Sequence, residues 1–264
     1  MTYTCAYYAD PLETLETAQR RKLDYVCRKL RLRPGERLLD MGCGWGALTV
    51  HAARHYGVEV TAITLSEQQA AYTRERVAAA GLGDRCRVEL VDFRDLDGRT
   101  VYDKIAAIGI VEHVGRSLLA TYFRLAWRLL RPHGVFLSHG QTRSLMHYKG
   151  SRFIDAYVFP DGELVTVSDT LRAAEAAGFE VRDVENLREH YAITVRSWRE
   201  RLESHASEVR ALVGEERYRI YRMYLAGIGF AHQRGRINLH QVLLSKSCDG
   251  AADLPLTRGD WYTR

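Results

Sequence analysis

The sequence predicts an α/β protein built on a doubly wound, mostly parallel sheet. Three observations carry that prediction. Short apolar runs alternate with helical stretches over about 100 residues, a βαβα rhythm that parallel sheets require. The first apolar run ends in a turn with a glycine at every second position, Gly42, Gly44 and Gly46. A helical stretch then follows that turn directly, so its free N–H groups face the turn.

Taken in order, Leu12, Leu15, Leu23, Val26, Cys27 and Leu30 recur at helical spacing within residues 11–32, and Pro34-Gly35 ends that helix. Apolar runs at 37–41, 58–63, 86–91, 102–110 and 134–138 read as strands, with helical stretches at 45–56, 66–80 and 117–131 between them. Right-handed crossovers place the strand C-termini along one edge, where such sheets bind ligands. Beyond Pro160 the pattern loosens. Residues 168–177 read as a helix closed by Gly178, 181–187 as a strand, and 194–225 as one long charged helix. Residues 237–245 read as the final strand, and the aperiodic tail 249–264 is expected to be poorly ordered. No linker divides the chain, so residues 1–264 are expected to form one domain. It would carry an N-terminal helical cap at 1–34 and cover-forming insertions at 140–160 and 194–235.

The 264 residues are 46% hydrophobic, enough for one sizeable core. The net charge of +5 is spread in short clusters rather than an aromatic-interleaved basic strip, which argues against a nucleic-acid partner. A basic face leaves an anionic membrane surface or an anionic substrate open. Five cysteines without a C-x-x-C pair speak against a disulfide framework or a metal site and suit a reducing cytoplasm. There is no apolar targeting region at the N-terminus and no spanning run of about 18 apolar residues.

The spacing of the turn narrows its ligand. A dinucleotide fingerprint reads G-x-G-x-x-G. Here the order is Asp40-x-Gly42-x-Gly44-x-Gly46, which resembles motif I of class I S-adenosylmethionine (SAM) methyltransferases. SAM carries an ammonium and a sulfonium, and a carboxylate such as Asp40 favours both. At the end of the second strand, Thr64 and Leu65, with Gln69 close behind, take the place where a dinucleotide enzyme puts a ribose-binding acid. Ser66 reads better as a helix N-cap. Asp92 is placed to accept from an adenine amine and Phe93 to lie against the ring; an ordinary strand-end turn is the other reading of that pair.

Several separated motifs together resemble the cyclopropane fatty acid synthases and mycolic acid cyclopropane synthases. They are Tyr3-Thr4-Cys5-Ala6-Tyr7-Tyr8, Leu38–Gly46 with Trp45, Ile63-Thr64-Leu65-Ser66, Asp92-Phe93-Arg94, Val111-Glu112-His113-Val114-Gly115, Phe153 through Pro160, and His190-Tyr191-Ala192-x-Thr194 with Trp198. The resemblance covers about residues 3–246 and implies a seven-stranded, Rossmann-like class I SAM methyltransferase sheet with a helical cover over the active site. It also implies the chemistry: an alkene attacks the SAM methyl, and bound bicarbonate takes a proton from the resulting carbocation as the ring closes. By resemblance, bicarbonate is held by Glu112, His139, Tyr191 and the backbone of Cys5.

The residues themselves agree. Glu112 follows the fourth strand and His139 the fifth, which puts both on the ligand edge. His139, Tyr191 and the Cys5 amide can donate to an oxyanion, and Glu112 can accept. Taken singly, His139 reads as a strand-end histidine, Glu112 as a first-turn acid and His113 as structural. Tyr157, Trp198 and Tyr224 are candidate substrate contacts, with Tyr3, Tyr7 and Phe153 as further aromatic wall. The sequence begins almost at the Tyr-x-Cys-Ala-Tyr motif, so the extra N-terminal domain usual in phospholipid-modifying members is expected to be absent, and the segment 140–152 is short. The expected substrate is an unsaturated acyl chain, membrane-borne or presented on an acyl carrier. The alternative is plain C-methylation of a small or carrier-bound olefin.

Overall fold

The computed structural model describes residues 1–96, 102–148, 150–160 and 162–262. Its seven strands are β1 (Arg37–Met41), β2 (Glu59–Thr64), β3 (Cys86–Leu90), β4 (Tyr102–Ile108), β5 (Leu130–Arg143), β6 (Glu180–Asn186) and β7 (Ile237–Ser245). They form one sheet in the order β3-β2-β1-β4-β5-β7-β6. The first five pair in parallel, and β7 runs antiparallel to both β5 and β6. The predicted seven-stranded, mostly parallel α/β sheet is what the chain adopts.

Alternation along β1 sets the layers. Leu38 packs into one core with Leu23, Val26 and Leu30 of α1 (Leu15–Leu30) and Leu48 and Ala52 of α2 (Ala47–Tyr56). Leu39 and Met41 face the other side, against Leu119, Tyr122 and Phe123 of α4 (Val111–Leu129) and Ala174 of α6 (Val167–Ala176). Successive strand residues point to opposite faces, so one apolar run supplies both cores. A third cluster lies above the sheet. There Cys5 meets Tyr191 and Val195 of α7 (Arg188–Ser204) and Tyr224, Leu225 and Ile228 of α8 (Ala206–Gln233). Ser66 caps α3 (Glu67–Ala79) by accepting from the Gln69 amide, as read from the sequence.

Four expectations need correction. The strand read at 134–138 is 14 residues long, and residues 140–143 continue it rather than open the cover. Past the end of β4 these polar residues continue the pairing with β7, Gly140 opposite His240 through Arg143 opposite Ile237, and a polar ribbon carries no apolar alternation to read. The single helix read at 194–225 is two, α7 and α8, which break at His205 and pack on each other. The N-terminal cap is helical only in α1; residues 1–14 run over the site without helix. Finally, the tail carries a short helix and a buried anchor. The short α9 (Gly259–Tyr262) buries Trp261 against α1, Lys29 lies 5.2 Å from the Trp261 ring, and Asp260 pairs with Arg31. The rest of the 140–160 segment forms a loop and α5 (Arg152–Tyr157), with residue 149 outside the described residues.

Candidate active site

Two cavities share His113 at the start of α4. The first, about 540 Å³, opens over the C-terminal ends of β1, β2 and β4. Asp40, Gly42, Gly44, Thr64, Leu65, Gln69, Asp92 and Phe93 line it, and Met1 to Thr4 with Lys22 form one wall. Among the residues predicted to touch the cofactor, Gly46 alone stands back. It precedes α2 at φ 73°, where an added Cβ would lie 2.6 Å from Thr73 Cγ2. Gly42 has φ 80°, and a Cβ there would fall 2.0 Å from Ile110 Cδ1. Only glycine fits both the dihedral and the space.

Asp40 is 2% exposed and accepts from Thr49 Oγ1 at 2.7 Å. Burial pushes its pKa up to about 6, against the pull of Thr49 and of the Lys22 charge. Lys22 is 1% exposed and donates to Thr4 Oγ1 at 2.9 Å. Burial pushes it down to about 8, opposed by Cys5 and Asp40. Asp92 differs from the expectation of an open adenine acceptor. Both its oxygens already accept from the Arg94 guanidinium, at 3.0 and 2.7 Å, and that partner holds its pKa below the ordinary carboxylate value.

The second cavity, about 460 Å³, lies between the start of α4, α5 and α8. Phe153, Ile154, Phe159, Leu164, Tyr224, Ile228 and Phe230 give it an apolar wall, Glu112 and Gln141 face it from the sheet side, and His147, Asp155 and Arg236 add polar groups to its lining. Its size lies within the roughly 300–1,000 Å³ usual for small-molecule sites.

Glu112 sits in the first turn of α4, which begins at Val111 rather than near 117. Its Oε1 accepts a 3.5 Å bond from the Gln141 amide, and among the described residues its buried Oε2 has no partner. Burial pushes its pKa up to about 7. The Oε2 atom lies where a Cβ on Gly140 would come within 2.6 Å, so the carboxylate rests over the residue after His139. His139 lies inside β5, not at its end, opposite Gln241 of β7. Gln241 Nε2 donates to His139 Nδ1 at 3.1 Å, which assigns the ring proton to Nε2, a buried atom without a partner among the described residues. Burial drives the imidazole pKa well down, so the ring is neutral. Cys5 and Tyr191 share the third apolar cluster. The Tyr191 hydroxyl is held far above its ordinary pKa, first by burial and then by its neighbours Tyr224, Cys5 and Glu112.

The predicted aromatic contacts divide. Tyr224, Phe153 and Tyr3 line the cavities, Tyr3 the first and the other two the second. Tyr157 is 60% exposed and stacks on Phe153 from outside. Trp198 packs between Tyr3, at 4.6 Å, and Tyr191, at 5.9 Å, behind the site. Tyr7 stacks on His190 and Tyr25, away from both cavities. His113, read as structural, lines both cavities and meets Phe159 edge-on at 5.5 Å. Lys22, Gln141 and Gln241 escaped the sequence reading altogether. Lys22 stood inside an amphipathic helix where a lysine signals surface, and Gln241 inside an apolar strand where only pairing reveals its partner.

The strand order, the glycine turn and the cavity above it define a class I SAM-dependent methyltransferase, with SAM as co-substrate. A family model for mycolic acid cyclopropane synthetase matches residues 1–242, and the chain belongs to that family. A Pseudomonas putida protein named "Probable fatty acid methyltransferase" is 46% identical over 272 residues, covering 99% of this chain and 68% of that one. The cyclopropane-fatty-acyl-phospholipid synthase of Escherichia coli K12 is 34% identical over 249 residues, 94% of this chain and 63% of its own length. The chain therefore spans about two thirds of these relatives. The crystal structure of mycolic acid cyclopropane synthase CmaA1 complexed with SAH and CTAB matches with a TM-score of 0.87 at 36% identity, covering 92% of this chain and 89% of that one. Among the described residues no helix is long and apolar enough to cross a membrane.

Proposed function

We propose that the chain alkylates an alkene carbon of an unsaturated acyl chain with the methyl group of SAM and closes a cyclopropane ring. The observation that carries this reading is the buried Glu112 carboxylate beside His113, where a cofactor-sized cavity meets one with an aromatic and aliphatic wall. The relatives named for cyclopropane and fatty-acid chemistry support it.

In this reaction the alkene π pair bonds to the methyl carbon while the S–CH3 pair stays on sulfur, leaving SAH and a carbocation on the chain. The new methyl then loses a proton, and its C–H pair closes the ring. Phe153, Phe159 and Tyr224 offer aromatic faces to the cation, and the apolar wall excludes the water that would quench it. Glu112 Oε2 and His139 Nε2, each buried and without a partner among the described residues, would serve a small hydrogen-bonding anion, one accepting from its hydroxyl and the other donating to its oxygen. Glu112, His139, Tyr191 and the Cys5 amide would hold bicarbonate there. When bound, bicarbonate supplies the base for the proton.

A second reading, plain C-methylation with proton loss elsewhere, is favoured by the fatty acid methyltransferase name of the Pseudomonas relative. The test is incubation with SAM and unsaturated lipids, free, carrier-bound and in vesicles, followed by NMR of the products. Cyclopropyl proton signals are expected. Methyl-branched olefins without those signals establish the second reading, and no product from any unsaturated acyl chain overturns both. Turnover should also collapse in rigorously bicarbonate-free buffer; unchanged turnover would sink the anion site.

A further inference from the structure

Lys22 and Asp40 are two opposite charges sealed in the same cavity wall. Among the described residues the Lys22 side chain has one hydrogen-bond partner, Thr4, and the Asp40 side chain is bonded only by Thr49. No ion pair joins the two, yet each feels the other's charge. A buried ammonium with unused N–H groups and a buried carboxylate with unused lone pairs are costly to fold. A ligand presenting one negative and one positive group side by side would offset both costs at once. An α-amino acid zwitterion has that form, and the methionine end of SAM is one.

We infer that Lys22 and Asp40 together form the amino-acid clamp of the cofactor cavity. The Lys22 ammonium takes the α-carboxylate of SAM, and Asp40 takes the α-ammonium. Thr4 ties this clamp to the N-terminal segment. Its hydroxyl accepts from Lys22, and its backbone carbonyl accepts from Gln19 Nε2 at 2.7 Å. The next residue, Cys5, belongs to the proposed anion site. At neutral pH Lys22 remains mostly protonated despite its burial. The inference rests on SAM occupying this cavity, and the test separates the two ideas.

The experiment is calorimetric titration of wild type, Lys22→Met and Lys22→Arg with two ligands. SAH carries the amino-acid zwitterion, and 5′-methylthioadenosine lacks it but keeps the nucleoside and sulfur. Removing a hydrogen bond to a charged group should weaken SAH by roughly 10- to 100-fold in Lys22→Met. Binding of 5′-methylthioadenosine should stay within about two-fold of wild type, which also shows that the variant is folded. Lys22→Arg should recover part of the SAH affinity. Equal weakening of both ligands, or no weakening of SAH, overturns the clamp. Failure of wild type to bind either ligand overturns the cavity assignment beneath it.

Discussion

Gln241 Nε2 donates to His139 Nδ1 at 3.1 Å across directly opposed positions of β7 and β5, with both side chains sealed from solvent. Strand register alone places the two together. The bond holds a neutral imidazole in the tautomer that donates from Nε2.

Replacing Gln241 with Leu removes that control while keeping the side chain's bulk. The imidazole proton becomes free to move to Nδ1, and the donor at Nε2 is lost. A fall in kcat of roughly 10- to 100-fold is expected, with SAH affinity unchanged by calorimetry. An unaltered kcat would remove His139 Nε2 from the chemistry.

Gly140 is required by space rather than by its dihedral angles. A Cβ there would lie 2.3 Å from Val111 Cγ1 and 2.6 Å from Glu112 Oε2. Gly140→Ala should push Glu112 aside, costing about 1–3 kcal/mol of stability and most of the turnover. Denaturant melts and initial rates report the two losses separately. A variant with full activity would show that the carboxylate need not rest over β5.

The ionisation of Glu112 should be visible in stability. Its pKa rises from 4.5 to about 7 in the folded state. The fold therefore keeps a proton that the unfolded chain has already released. Stability from this group is full below pH 4.5 and is lost as pH rises to about 7. Glu112→Gln abolishes that loss, so its stability relative to wild type should grow across this window, by up to about 3 kcal/mol. Asp40 loses stability in the same direction in both proteins and cancels in the difference. Urea melts of both proteins between pH 4 and 8 test this, and a pH-independent gap would contradict it. The same variant should bind SAM and lose most turnover.

Trp261 anchors the tail. Its ring is buried against α1 within reach of Lys29, whose ammonium also meets Glu185 at 2.5 Å. Trp261→Ala should cost about 3 kcal/mol, read as a lower unfolding midpoint. SAH affinity measured well below that midpoint should not change, because the tail packs on the face of α1 away from the cofactor. A large loss of SAH binding at unchanged stability would refute that separation.

Much of the architecture was open to reading in the amino-acid order. β1 spans the residues expected from its apolar run, Ser66 caps α3, and the alternating glycines form the turn at positive φ, with Gly42 and Gly44 lining the cavity. These signals are local: each depends on residues a few positions apart. The cavity-lining residues legible in this way were those on the turn and at strand ends, Asp40, Gly42, Gly44, Thr64, Leu65 and Gln69, and Glu112 after β4.

What escaped was set by partners distant in the chain. The polar end of β5 is a strand because β7 lies beside it, and the tail docks through α9 because α1 offers Trp261 a place to bury. Tyr157 turns outward while His113 faces both cavities, a choice made by how α4 and α5 pack and not by residue type. Lys22 belongs to the cofactor cavity for the same reason. The sequence by itself determined the order of strands and helices, the glycine turn and its leading acid, because backbone dihedrals and hydrophobic periodicity are written locally. Only the tertiary structure decided which charges are buried, which polar atoms lack partners and which residues meet, because burial and pairing belong to surfaces that come together across the whole chain.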